Sequence, residues 1–422
     1  MRNLVLLTKF LSGQTARNTG WMLVGYVFRV VFQTLSFIYL ARVIGPDGYG
    51  AVAAALSVVA LISPFVELGA YSLVVRDITA GIPTRVAVGN ILTLLLLTFP
   101  LGLSVLILIK LLFLPKIPWA VILGLGIGQL IGGRILTLVQ GVNIANRQLH
   151  TNSLLELISG VLLLGSVYTL QLVGGKEENW GVLYAIYLVV VGIIGLVITI
   201  ASWGKPQGTW KEVKGRIKPG VHFAIGLASQ NAYTDLDKAM LAKMASLEIV
   251  GLYAAAHRLT QVAFLPLSAV LTTTYPKFFE EGQKSVRSAT KLALRMLPIT
   301  MGYTFLVSVF LWFASPLAPV LLGQEFQDSS HAIRFLTFSL ILQSIYTPFA
   351  DALTGSGHQV ARTRAQLMAL LLSVLLNLWL IPLYGWIGAA VATLASQLML
   401  TVAVIWGVVG KMAVKKVKYP AD

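Results

Sequence analysis

The chain has no cysteine and little charge: Asp, Glu, Lys and Arg make up 11% of its 422 residues, against about 25% in soluble domains. Without cysteine there can be no disulfide, no thiolate-bound zinc or iron–sulfur cluster and no thiol nucleophile. With 57% hydrophobic residues, no soluble core could hide the apolar surface. That excludes a soluble enzyme, a fibrous protein and a disordered chain. Enzyme signatures are also missing. There is no HExxH, GxSxG or Walker sequence, and the five histidines have no metal-ligand spacing. No cofactor, no metal site and no ATP hydrolysis within the chain are expected.

What is present is a succession of apolar runs long enough to cross a bilayer, with a mean hydropathy of +0.81. They are too long for barrel strands and lack strand alternation. The pattern predicts an all-α membrane protein with twelve spans, over 18–43, 48–72, 86–109, 118–141, 152–173, 180–203, 220–243, 248–275, 293–314, 331–354, 364–382 and 385–410. The N-terminal MRNLVLLTKFL is too short for a secretory signal and reads as an interfacial helix.

The net charge of +16 is explained by where the bases fall. One set of loops holds 22 of the Lys and Arg residues, among them Arg76, Arg85, Lys214, Arg216, Lys277 and Lys284. The opposite set holds six: Arg42, Lys110, Lys116, Lys176, Lys243 and Arg334. By the positive-inside rule the first set and both termini are cytoplasmic, as an even number of spans requires. The charge is therefore a topology signal, and no nucleic-acid partner is expected. A basic stretch at 204–219 divides the chain into a six-helix lobe at 1–203 and another at 220–422, and reads as a solvated cytoplasmic linker near anionic lipid. A repeat supports the division. LARVIGPDGYGAVAAA from Leu40 aligns without a gap with LAKMASLEIVGLYAAA from Leu241, 201 residues on, with Gly50 opposite Gly251 and Asp47 opposite Glu248. Repeats six spans apart are parallel, so the expected fold is two six-helix bundles related by a pseudo-two-fold axis along the membrane normal, V-shaped around a central cavity.

Charge inside a span costs at least ~2.5–3.5 kcal/mol on insertion scales, so such residues face a cavity or a partner. Span one places Asn18, Gly25, Arg29, Gln33 and Ser36 on one helix face. Arg29 has no acid in its own helix and is expected to face the cavity. Span seven carries Asn231, Asp235, Asp237 and Lys238, and span eight His257, Arg258 and Gln261. Span four carries Gln129, Arg134 and Gln140, with a ridge of Gly124, Gly128 and Gly132 suited to helix packing. Glu67 and Glu156 lie near span ends and are expected to be wet. The candidate substrate-binding set is Arg29, Arg258, Arg134, Lys238, Gln33, Asn231 and Gln261. Trp21, Tyr26, Tyr233 and Tyr253 are further candidates for stacking against a ligand. Three acids are candidates for coupling to H+ or Na+. Asp235, three before Lys238, is expected to be locked to it. Asp237 points about 100° away on the helix and is expected to titrate more freely, and Asp351 has no base within a turn.

LARVIGPDGYG after span one, FVELGAYSLVVRD at the end of span two and DLDKAMLAKMASLEIVGLYAAAHRL in spans seven and eight resemble the polysaccharide transporter family, the Wzx-type flippases. Lipid II flippases and multidrug extruders belong to the same superfamily. The resemblance covers nearly the whole chain. It implies alternating access between two lobes, moving undecaprenyl-pyrophosphate-linked oligosaccharide repeat units across the bacterial inner membrane for O-antigen or exopolysaccharide. Membrane lipid is an expected partner, and a polysaccharide polymerase a conceivable one. Arg29 and Arg258 fall where cavity arginines of that family are expected, and arginine suits a pyrophosphate through paired hydrogen bonds. The competing readings are a drug or cation extruder or a lipid II flippase on the same fold, and a membrane-embedded polymerase. Four intramembrane bases argue against a cation pocket, and the short outer loops argue against a polymerase.

Overall fold

The structure is a computed structural model that describes residues 14–208 and 210–412. The helix expected at residues 1–11 lies outside the described residues, as do Arg2, Lys9, Lys415, Lys416 and Lys418 and the side chains of Arg17, Asn18, Trp21 and Lys211.

Among the described residues every regular element is helical. The helical stretch Gln14–Glu67 is broken at Gly45 (φ 67°, ψ −178°), giving α1 (14–44) and α2 (46–67). The break sits where Gly-Pro predicts it, since the residue before proline is pushed out of the helical region. There follow α3 (Ala70–Thr79), α4 (Thr84–Phe113), α5 (Trp119–Ala145), α6 (Leu149–Leu172) and α7 (Glu177–Trp203). Next come α8 (Trp210–Met244), α9 (Leu247–Lys284), α10 (Val286–Ala314), the short α11 (Ala318–Leu322), α12 (Ser329–Gly355), α13 (Gln359–Tyr384) and α14 (Trp386–Met412). Among the described residues eight helical stretches are long and apolar enough to cross a membrane, one of them, Gly25–Thr79, spanning the Gly45 break. Helices α8, α9 and α12 are equally long but fall outside that set. They carry the polar residues singled out above, which lower their hydropathy.

The chain forms two compact units. One holds the described residues up to Ile44 together with Ala51–Asn231; the other holds Gly45–Gly50 and the described residues from Ala232 on. In the first unit the glycine ridge packs α5 on α7. A methyl at Gly124 would lie 2.1 Å from the Gly181 carbonyl oxygen, and one at Gly132 2.4 Å from that of Leu188. Gly128–Gly133, which takes in Gly132, is wound as a π-helical turn. In the second unit Phe264, Phe278, Met296, Leu340, Leu353, Leu400, Val404 and Val408 form a core contributed by α9, α10, α12 and α14. The outer faces are apolar, with Leu96, Phe313 and Trp406 at least three-quarters exposed. Lipid is the solvent that makes such surfaces stable.

The two copies of the repeat meet. Gly50 approaches the Leu247 carbonyl and Gly251 the Pro46 carbonyl, and a methyl on either glycine would stand 1.9 Å from the facing oxygen. Pro46 and Leu247 are themselves 201 residues apart, as are the two glycines, so the contact is reciprocal.

The stretch 204–219 keeps Lys205, Lys214 and Lys218 exposed, as expected, but is not solvated throughout. It is helical from Trp210, and Arg216 is buried. Its guanidinium donates to Asp77 Oδ2 from Nε (3.0 Å) and Nη2 (2.6 Å) and lies 3.5 Å from Glu212. Asn90 donates to the same Glu212 carboxylate. One base predicted to face water, Arg216, is here drawn in by an acid from elsewhere in the chain, Asp77.

Candidate functional site

In the first unit the polar face of α1 meets α6. Two close approaches hold the helices together: Gly25 against Ser153, and Gly160 against the Phe32 side chain. Both intervals are seven residues, two helical turns. Arg29 and Glu156 lie midway along them and meet, with Arg29 Nη1 3.6 Å from Glu156 Oε1. Glu156 also accepts from Gln140 Nε2 at 3.0 Å. Asn152 donates to the Gln140 carbonyl and accepts from Asn143. The result is a polar chain across α1, α5 and α6. The Arg29 guanidinium lies 5.1 Å from the Tyr26 ring centroid. Its side chain keeps 42% of its surface exposed, whereas that of Glu156 keeps 18%. Gln33 is exposed one turn further along. Glu156, expected to be wet, is thus the internal partner of Arg29, which its own helix could not supply.

Arg134 follows the π-helical turn directly and pairs with Glu67 at the end of α2. Its Nε also donates to the Gln129 carbonyl at 3.3 Å. Glu67, expected to be wet, is 7% exposed. A base with a buried carboxylate on its Nη1 has less to offer a ligand than Arg29. Asn231 donates to the Ala60 carbonyl at 2.7 Å, bracing α8 against α2.

In the second unit Lys238 is the centre of a buried cluster. Its Nζ is 2.8 Å from Asp235, 3.6 Å from Asp237 and 3.2 Å from the Thr234 carbonyl. The Asp235 pair is the one the i, i+3 spacing predicts. Asp237, expected to be freer, is buried and held: Oδ2 accepts from Tyr253 at 2.6 Å and from Thr393 at 3.5 Å, and Oδ1 accepts from the Lys238 backbone N–H. Asp351, expected to lack a base, is also buried. It accepts from Arg362 Nη1 at 3.3 Å, the base arriving from α13 across a tight turn.

A polar cavity of about 70 Å³ adjoins the Lys238 cluster through Thr234 and Thr393. Tyr233, His257, Gln261, Gln343 and Gln397 also line it. The Tyr233 hydroxyl and Gln397 Oε1 are buried there without a hydrogen-bond partner among the described residues. The space suffices for several waters, which need roughly 10–15 Å³ each by this measure. Nothing in sequence spacing announces this cavity, because its lining comes from α8, α9, α12, α13 and α14. Arg258 does not line it. That side chain is exposed and makes no ion pair among the described residues.

Residues 15–281 match the family described as polysaccharide biosynthesis protein. A probable low-salt glycan biosynthesis flippase of Haloferax volcanii is 25% identical over 222 residues, which span 50% of this chain and 46% of that relative. The chain thus matches about half the length of that curated relative. Among solved structures, the lipid II flippase MurJ in an inward closed conformation matches 92% of this chain and 87% of its own, with a TM-score of 0.74 at 13% identity. A MOP superfamily transporter from Pyrococcus furiosus matches 97% of this chain and 98% of its own, with 0.64 at 17%. An inward-facing multidrug resistance MATE family transporter matches 94% of this chain and all of its own, with 0.66 at 14%. At such identities the likeness is one of fold alone: an all-helical arrangement like that of these membrane proteins.

Proposed function

The chain belongs to the polysaccharide biosynthesis protein family, and from that membership we propose that it flips undecaprenyl-pyrophosphate-linked oligosaccharide repeat units across the bacterial inner membrane. The path is alternating access between two six-helix bundles, V-shaped around a central cavity, with twelve spans and both termini in the cytoplasm. The chain binds and reorients its cargo and makes no covalent change to it. Membrane lipid surrounds it, and a polysaccharide polymerase is a partner suited to receive the product.

One observation carries this reading. Arg29 lies deep within a long apolar helix, yet it keeps 42% of its side chain exposed and holds its acid at only 3.6 Å. Arg258 is exposed with no acid at all among the described residues. Bases kept available on the long helices of a membrane protein fit a lipid-borne polyanion that cannot cross hydrocarbon unaided. They do not fit the cation expected of a drug extruder. Gln33 and Gln261 add neutral hydrogen-bonding groups for sugar or phosphate, whereas Arg134, Lys238 and Asn231 serve mainly to hold their helices. For coupling, Asp237 is the preferred carboxylate, because it shares Thr393 with the polar cavity. Asp235 is held more closely by Lys238, at 2.8 Å against 3.6 Å for Asp237, and Asp351 is paired with Arg362.

The test is movement of a labelled lipid-linked oligosaccharide in proteoliposomes. Arg258→Ala leaves no buried acid unpaired and should abolish flipping while the protein still inserts. Arg29→Ala is paired with Glu156→Gln, so that no lone carboxylate remains. Lysine at either position should rescue only in part, since it keeps the charge and loses the planar fork. Normal flipping by both alanine variants would remove the cationic-site reading. Chemical change in the glycan would make the protein an enzyme instead. Flipping by Asp237→Asn that no longer responds to an imposed proton or sodium gradient would assign the coupling.

A further inference from the structure

Between α10 and α12 the chain builds a short cap, formed by a 3-10 turn at Ser315–Leu317, helix α11 and a second 3-10 turn at Gln324–Phe326. Leu322 and Phe326 are buried and anchor it. Leu317, Val320 and Leu321, at i, i+3 and i+4, are exposed, and so are the neighbouring Trp312 and Phe313 at the end of α10. A short segment with an apolar stripe and a tryptophan, at the end of a membrane helix, has the make-up of one that lies in the headgroup boundary.

Beside the stripe is a cavity of about 340 Å³ lined by Val320, Gln324, Gln327, Ser330, His331 and Arg334, with two prolines. Arg334 is held in place. Its Nε donates to Ser315 Oγ at 2.8 Å, and its guanidinium lies 5.7 Å from the Trp312 ring centroid. Ser330 donates to the Ser315 carbonyl and so closes the same corner. No carboxylate pairs with Arg334 among the described residues. The two acids of the cap, Glu325 and Asp328, do not line the cavity.

We propose that this cavity binds the phosphate of a membrane lipid head group, with the lipid chain running over Leu317, Val320 and Leu321. A guanidinium committed only through Nε retains its Nη donors for two phosphate oxygens. Gln324, Gln327 and His331 are hydrogen-bonding groups suited to the remainder of a head group, and Val320 belongs to both the cavity and the stripe. A soluble phosphate has no use for the stripe. The site shares no residue with the set around Arg29 and Arg258 and does not depend on the transport reading.

Phosphatidylglycerol and undecaprenyl diphosphate are two lipids that offer this chemistry. The test counts each lipid retained on the full-length protein by native mass spectrometry. Arg334→Gln removes the fork, and Gln327→Glu places a carboxylate in the cavity while leaving the Arg334–Ser315 bond intact. Each should lower retention of one of the lipids at least tenfold, and the lipid lost identifies the natural source. Arg334→Lys should lose less, and Lys176→Gln, an exposed base elsewhere, should lose nothing. Should Arg334→Gln fail to fold, Gln327→Glu alone decides. Unchanged retention of both lipids in the cavity variants overturns the proposal. Equal loss in Lys176→Gln does the same, as does displacement of both lipids by millimolar inorganic phosphate.

Discussion

Alanine at Gly251 would put a methyl carbon 1.9 Å from the Pro46 carbonyl oxygen and 2.7 Å from its carbon. Ordinary carbon contacts are near 3.5 Å, so the helix α9 backbone and the start of α2 must part by more than about 1 Å. Neither side can yield by rotating a side chain, because the obstructing atoms are backbone. Overpacking of this kind costs about 1–3 kcal/mol, and a backbone-on-backbone contact belongs at the upper end. Against this, alanine in place of a helical glycine gains about 1 kcal/mol. The contact wins, and Gly251→Ala should destabilise by roughly 2 kcal/mol on the same two principles. Gly302, in α10, is the control, because a methyl there meets nothing within 4 Å. Gly302→Ala keeps the propensity gain and should stabilise by up to about 1 kcal/mol. A difference of about 3 kcal/mol corresponds to several degrees in midpoint for a unit of this size. The assay heats detergent-solubilised protein and reads the monodisperse fraction that survives. If Gly251→Ala survives heating as well as Gly302→Ala, the repeat contact is not close-packed and the reasoning fails.

Three further outcomes are expected. Glu67→Gln leaves Arg134 without its acid in a mostly buried site and should cost about 3–5 kcal/mol; Glu67→Gln with Arg134→Met should recover most of that in the same thermal assay. Lys284 and Ser288 donate to Glu281 and hold its carboxyl below the ordinary carboxylate range. Their support of the α9–α10 corner is therefore complete above the unfolded-state value near 4.5 and is lost as pH falls through the lower folded-state value. Hydrogen-exchange protection factors at residues 281–288, which remove the intrinsic pH dependence of exchange, should fall on acidification in the parent and stay flat in Glu281→Gln. Cysteines at Lys205 and Gln283 should react only with reagents that reach the cytoplasm, and one at Lys176 only from outside; outer labelling at Lys205 would overturn the orientation.

The elements themselves could be read from the residues, because what makes them is local. Long apolar runs must satisfy their own backbone hydrogen bonds in lipid and so become helices. Gly45-Pro46 breaks the first long run, and the Gly124–Gly128–Gly132 ridge declares a packing face by its spacing alone. Asp235 and Lys238 meet because three residues along a helix is one turn, a distance set within the element. The pairs that decide the site are of another kind. Arg29 finds Glu156, Arg134 finds Glu67, Asp351 finds Arg362 and Arg216 finds Asp77. In each case the partner stands on a different helix. Which carboxylate faces which base depends on the register of one helix against another, and the Gly25–Ser153 and Phe32–Gly160 approaches set that register for Arg29 and Glu156. The cavity beside Asp237 likewise gathers side chains from five helices. The sequence alone determines that charge is buried in lipid and must be answered. The tertiary structure decides by what, because a salt bridge is made across space and the chain records only order.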